Sequence, residues 1–523
     1  MFKHTSLSTA TVLALCPAGW AQADITADDV FQNMRAYAQA FGASFIADVD
    51  NTATGLTLSD ASIALTLSVP PQLTDGTDLG NISATMALPD FALTNNSDGT
   101  VTVATVESGT FSATLEIPEM EALILPMTFQ SKNVITIASG TPGNVTYDYS
   151  ADSVDMQAAF EIPAQLAEDL DAAPQVNIAV TQENTAGTVT VAEGDVITVT
   201  GGANIGHSTQ FVETRQMGGD VQSSTNTSIR DQVSTVALKM PTVDVSLFNL
   251  AKALRDGLSL NATIAYGNYA QTETVSITSE LGTETKVSTG ASTTTIALDT
   301  AGLHMDGSAK DAEISVEMPF VVPVPMTFAI DTVEIGMQLP LLKTEDFATF
   351  AYSTTLKDLT MGDSLWSMFD PAGQLYRDPA QFDIDLTGSL KHNVEWLDIL
   401  SLEGAMETLT SLPVMPEDVS VNALSLSAAG ARVDAKGAFS FDDTDMVTYP
   451  GMPRPDGAVS VDVQGLNRLM DTLTNMGLLP EDQVMGVRMM LGGFTKPVGE
   501  DHLTSTIEMT PEGHVTANGQ RIK

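Results

Sequence analysis

Apolar and small polar residues alternate along much of this chain. Ile63, Leu65, Leu67 and Val69 form one such run, and Ile82, Ala84, Met86 and Leu88 another. Phe111, Ala113, Leu115 and Ile117 repeat it, as do Val154, Met156, Ala158, Phe160 and Ile162. A period of two gives a strand one dry and one wet face, the habit of antiparallel sheets. Turn residues separate the runs at Asn96-Ser97-Asp98-Gly99, Thr141-Pro142-Gly143-Asn144 and Ala192-Glu193-Gly194-Asp195. Several runs end in an apolar residue and a proline: Val69-Pro70, Leu88-Pro89, Ile117-Pro118, Ile162-Pro163, Met240-Pro241, Met318-Pro319 and Leu339-Pro340. Proline removes a ladder donor and so belongs at strand ends or sheet edges.

Helical spacing appears in a few places. Val30, Phe31, Met34, Ala38 and Phe41 follow a cap at Thr26 with Asp29 three residues on, and Gly42 is the stop. Leu247, Leu250, Ala251 and Leu254 form a short stripe ended by Gly257. Leu466, Leu469, Met470, Leu473 and Met476 form another, stopped by Gly477. Pro480 opens a last helix with Val484, Val487, Met490 and Leu491, expected to end at Gly492-Gly493. Between Leu260 and Met318 a Thr/Ser-rich stretch reads as a meander with turns at Gly267, Gly282, Gly290 and Gly307. The chain closes on an expected hairpin, His502 to Met509 and His514 to Ile522. The pattern predicts a mainly β (α+β) fold: extended antiparallel β-meander sheets able to curl into a groove, an N-terminal helix and short C-terminal helices. Residues 24–318 and 319–523 are the expected halves.

The first 23 residues stand apart. Lys3, an apolar run from Leu7 to Leu15, and Ala21-Gln22-Ala23 read as a secretory signal peptide cleaved after Ala23. The single cysteine, Cys16, leaves with it; Leu15 is bulky where a lipobox needs a small residue, and Pro17 follows. The expected location is the periplasm, with secretion beyond the outer membrane left open. The chain has 66 acidic against 22 basic residues, a net charge of −44. Such a field opposes nucleic acid and anionic head groups, so no nucleic-acid partner is expected. With 43% hydrophobic and 17% charged residues the chain has material for a core rather than disorder. No later apolar run is long enough for a transmembrane helix.

Familiar chemistry is sparse. There is no G-x-S-x-G, Walker loop or G-x-G-x-x-G, and no histidine pair at helical metal spacing. No catalytic residue, metal ligand or cofactor is therefore assigned. Gly201-Gly202-Ala203-Asn204-Ile205-Gly206 reads as a turn or bulge. His207 and Ser208 are neighbours on a strand, so they face opposite ways and cannot act as a local pair. Asp48-Val49-Asp50-Asn51 and Asp442-Asp443-Thr444-Asp445 collect oxygen ligands, and solvated loops are the simpler reading than calcium. One dense segment stands out as a binding patch, with Trp366, Phe369, Arg377 and Asp378 between two Asp-Pro turns; a rigid packed crossover is its structural alternative.

Trp366-x-x-Phe369-Asp370-Pro371 followed by Leu375-x-Arg377-Asp378-Pro379 resembles a recurring segment of the alphaproteobacterial domain-of-unknown-function family numbered 2125. Asp29-Val30-Phe31-x-Asn33 and the tail from Gly477-Leu478-Leu479-Pro480 to Asn518-Gly519-Gln520 are similar to that family too. Phe31 departs from a more usual Trp, and Tyr376 from a Pro. The resemblance implies an exported protein and brings no activity and no catalytic residue.

Two functions of different class follow. The first is a non-enzymatic envelope protein that binds lipid or another apolar ligand, or acts as a structural module. In broad architecture that is similar to AsmA-like groove proteins. Met485, Met489 and Met490 are its candidate apolar lining, because methionine suits an adaptable surface. The second is a secreted hydrolase that uses carboxylates or calcium, which requires a convergent acid pair in one cleft.

Overall fold

The computed structural model describes residues 25–71, 80–163, 174–216, 221–242, 245–277, 280–409 and 411–522. The expected signal peptide lies outside the described residues. Up to Tyr266 the strands are β1 Ala43–Asn51, β2 Gly55–Ser68, β3 Asn81–Ala87, β4 Phe91–Asn95, β5 Val101–Thr105, β6 Ser108–Glu116, β7 Leu123–Lys132, β8 Ile135–Thr141, β9 Asn144–Glu161, β10 Pro174–Ala192, β11 Val196–Gln216, β12 Val221–Pro241 and β13 Ser259–Tyr266. From Asn268 they are β14 Asn268–Ile277, β15 Glu280–Thr289, β16 Ser292–Asp299, β17 Gly302–Met318, β18 Val322–Leu339, β19 Ala348–Met361, β20 Ala380–His392, β21 Val414–Ala428, β22 Ala431–Asp442, β23 Arg454–Gln464, β24 Lys496–Gly499, β25 His502–Met509, β26 Val515–Ala517 and β27 Gln520–Arg521. The helices are α1 Ala27–Ala40, α2 Leu250–Arg255, α3 Asp363–Phe369, α4 Ile399–Thr408, α5 Leu466–Asn475 and α6 Glu481–Phe494.

The fold is mainly β and antiparallel, as the alternation predicts. The prolines stand one or two residues past the ends of β2, β3, β6, β9, β17 and β18, and Pro241 is the last residue of β12. The capping box at Thr26 and Asp29 forms in full. Four local expectations are corrected. Gly282 and Gly307 lie inside strands rather than at turns. The glycine run at 201–206 lies inside β11 rather than at a turn, with its last residue, Gly206, at the break in the ladder opposite left-handed Asn184, and a Cβ on Gly201 would meet Thr188 O at 2.1 Å. α6 continues through Gly492-Gly493 to Phe494. The second arm of the last hairpin breaks into β26 and β27, because Asn518 and Gly519 both take left-handed φ.

The chain parts into two compact units: one runs to Val245 with Asp256–Gly267 and Ser276–Ser279, the other holds Ser246–Arg255, Asn268–Val275 and Glu280–Lys523. In the first unit α1 packs on β1 and across β9, β10 and β11. Ala38, Phe45 and Ala61 form a cluster there, with Phe31, Met34, Ile63 and Phe91 against it. Val30, Val145, Tyr147, Val191, Ile197 and Val199 are buried. α1 thus covers the apolar side of its sheet, as an amphipathic helix must.

The long strands share a device. Asp60, Asn184, Asp231, Asp311 and Asp358 sit inside strands with φ between 48° and 56°. They fall in rows across neighbouring strands. Asp152, Asn184, Gly206 and Asp231 lie opposite one another in β9 to β12. Asp311, Asp331 and Asp358 do the same in β17 to β19. A bulged strand carries one extra residue, so its apolar positions change between odd and even numbers without changing face. In β2 the apolar set is Leu56 and Leu58 before Asp60, then Ala61, Ile63 and Leu65 after it. Phe91 pairs Leu58 and packs on the cluster of Ala61, so the two sets share a face.

Candidate functional site

In the second unit the register from β16 to β25 sorts side chains by face. One cross-strand row is Ala309, Val333, Leu356, Phe382, Leu426, Val433, Val463 and Leu503. Beside it run Gly307, Ile335, Thr354, Ile384, Leu424, Ala435, Val461 and Ser505. A third row holds Ile296, Met305, Met337, Tyr352, Leu386 and Val421. Directly opposed residues share a face, so these rows make one continuous apolar surface. The other face carries Ser308, Glu334, Thr355, Asp383, Ser425, Asp434, Asp462 and Thr504 in a single row. There Thr355 donates to Asp383 at 2.8 Å, Arg432 to Asp434 at 2.6 Å, and His502 Nε2 meets Asp462 at 2.6 Å.

Among the described residues α5 and α6 close the β22 to β25 end of the apolar surface, and α3 packs on β18. Ala435, Val463 and Ser505 are buried. α5 packs on β22, and the Ser505 hydroxyl donates to Phe494 O at the end of α6, 2.6 Å away. Gly465 lets α5 start there: its φ is +71°, and a Cβ would come within 2.2 Å of Gly430 O. Away from the helices Met305, Met337, Leu356, Phe382, Ile384 and Leu424 are half-buried, and Ile296, Ile335, Tyr352 and Leu426 are exposed. The inner faces of a sandwich interdigitate into a closed core. This face does not.

The segment from Trp366 to Asp378 links β19 to β20 through α3. Asp370 is fully buried and accepts from the Gln374 amide at 2.8 Å and the Leu375 amide at 3.0 Å. Burial pushes its carboxyl up, but those amides and Arg377 outweigh this and hold it below the ordinary carboxylate range. Arg377 donates to Asp370 O at 3.0 Å and lies over the Trp366 ring at 5.1 Å. Trp366 and Phe369 have ring centroids 5.0 Å apart. Trp366, Phe369 and Arg377 therefore meet around Asp370, and Asp378 is exposed beside them. The central role of Asp370 was missed from sequence; Asp-Pro-x-Gly at 370–373 is the turn signal that marks it. Met485, Met489 and Met490 lie on the outward side of α6 and are 64%, 74% and 57% exposed.

The carboxylate clusters already have partners. Asp442 accepts from Thr444 and Arg454, and Asp445 from Val447, Thr448 and Arg454. Asp48 and Asp50 lie along β1, opposite Ser59 and Thr57. Among the described residues no group of three or more His, Cys, Asp or Glu is arranged to hold a metal. His207 does not meet Ser208: its Nε2 is 3.0 Å from Ser228 Oγ, and its Nδ1 is 3.3 Å from Glu183. That order of groups is a nucleophile, a base and an orienting acid. It stands on the paired strands β10, β11 and β12, beside the row that holds left-handed Asn184 and Asp231. Comparison with family models, curated proteins and solved structures finds no match to this chain.

Proposed function

We propose that the protein is a non-enzymatic envelope protein that binds lipid or another apolar ligand on the apolar face of the strands in its second unit. One observation carries this reading: three apolar rows run side by side across β17 to β21, and several of their large side chains remain exposed. Leaving a leucine-sized side chain in water forgoes about 1.5–3 kcal/mol. A face with many such residues is paired with an apolar occupant in the functional state. The acidic residues of the opposite face keep the loaded protein soluble. Export to the periplasm and kinship with the family numbered 2125 fit this role and belong to the same proposal.

The test is native mass spectrometry with lipid extraction, on protein purified from its own periplasmic fraction. Bound phospholipid or another apolar ligand is expected. Ile335→Asp combined with Leu426→Asp, at exposed positions of the face, is expected to remove it with the circular dichroism spectrum unchanged. Thr355→Asp, on the polar face, is expected to keep it. A clean apo mass that gains nothing on lipid titration overturns the proposal and leaves a scaffold role.

A further inference from the structure

α6 shows more apolar surface than a solvated helix should. Val484 is buried, and Arg488, one turn on, stays exposed while it reaches across to α5. The Arg488 guanidinium donates to Asp471 at 2.8 Å and to Asn467 Oδ1 and O at 3.2 Å each. The outward side carries Met485, Met489 and Met490, all exposed, with Asp482 at its N-terminal end. A solvated helix places charge outside and apolar residues inside. Arg488 is the sole charged residue between Asp482 and Lys496. Gly486, Gly492 and Gly493 add to the anomaly, since a Cβ on any of them would meet nothing within 4 Å. Each lowers helix propensity relative to alanine, with no close packing inside the chain to require it.

We propose that this outward face of α6 docks on the surface of an uncharged, zwitterionic phospholipid bilayer. Charge selects this occupant. A second copy would set another net charge of −44 against the first. Anionic head groups would be repelled in the same way, and the one cation of the helix centre is already paired with Asp471. A zwitterionic interface carries no net charge and accepts a helix lying in its plane with the apolar side down. The 14 residues of α6 make a contact about 21 Å long. Methionine suits such a contact, because its unbranched side chain adapts to a fluid partner. The site also adjoins the apolar sheet face: Phe494, the last residue of α6, accepts from Ser505 of that face. As a route for lipid between bilayer and sheet, the contact rests on the ligand-binding reading above; as a docking site, it does not.

Vesicle flotation of the full mature chain tests the proposal, with phosphatidylcholine vesicles and with vesicles that also contain phosphatidylglycerol. Binding to phosphatidylcholine is expected, and phosphatidylglycerol is expected to weaken it. Met489→Glu with Met490→Glu is expected to lower the vesicle affinity roughly a hundredfold, as removal of two buried apolar side chains implies. Met489→Leu with Met490→Leu is expected to retain it, which separates apolar contact from fold. Absence of wild-type binding overturns the proposal, as does a glutamate pair that binds as well as wild type. So does a dimer in light scattering that the glutamate pair dissolves, since the face would then belong to a second copy. Native mass spectrometry of the same samples keeps the two readings apart. Bound lipid without vesicle binding removes the docking site alone, and vesicle binding without bound lipid removes the carrier reading alone.

Discussion

Asn33 shows how one residue ties α1 to its sheet. It is fully buried, donates to Val191 O at 3.1 Å and Glu193 at 2.9 Å, and accepts from the Tyr147 hydroxyl at 2.9 Å. Burial pushes the Tyr147 hydroxyl up, with Glu193 and Tyr37 adding to it, so the group stays a neutral donor. Asn33→Leu leaves these partners unmet and is expected to cost about 1–3 kcal/mol in urea unfolding. Asp445 gives a pH signature of its own. The Thr448 amide and hydroxyl, then Val447 and Arg454, draw its carboxyl from 3.8 down to about 2. A group lowered on folding stabilises the native state above its unfolded value, and that stability fades as pH falls through the folded one. Thermal melts from pH 4 to pH 2 are thus expected to fall less steeply for Asp445→Asn than for wild type. Equal slopes would show that the loop gains nothing from the charge.

At the scale of elements the left-handed Asp and Asn residues let the strands stay long. Asp311 lies opposite Asp331, and a Cβ on Gly290 would come within 3.1 Å of its carboxylate. Asp and Gly tolerate a φ of 49°, whereas a β-branched residue does not. Asp311→Val is expected to destabilise by about 1–2 kcal/mol, and Asp311→Gly by much less. Similar denaturation midpoints for the two would remove the conformational explanation. The strands that flank these positions were legible because each half keeps a clean period of two. In β9 the half from Val154 to Phe160 was read, whereas Val145, Tyr147 and Tyr149, of opposite parity beyond Asp152, were not. The change of parity at an Asp or Asn is the signal that would have joined the halves. α3 and α4 were missed for another reason. α3 buries Leu365 alone, so no apolar stripe forms along it. α4 buries no residue, so burial leaves no stripe to read.

Across the whole molecule, one class of decision belonged to the sequence and another to the fold. Alternation determined the antiparallel strands, and Thr26 with Asp29 determined the start of α1, because both depend on residues a few positions apart. The acidic excess, the methionines of α6 and the Trp366 to Arg377 segment were visible in the same way. Which strands lie side by side was not visible, and the apolar rows of the second unit exist only through that register. Ile335 and Leu424 are far apart in the chain, yet they share one row through Thr354 and Ile384. Nor could local pattern tell a covered dry face from an open one. In the first unit α1 covers the buried part of its sheet, whereas in the second α5 and α6 reach only the β22 to β25 end. An apolar stripe specifies that a face needs a partner. Which element or ligand meets that need depends on where distant parts of the chain come to rest, and only the tertiary structure decides it.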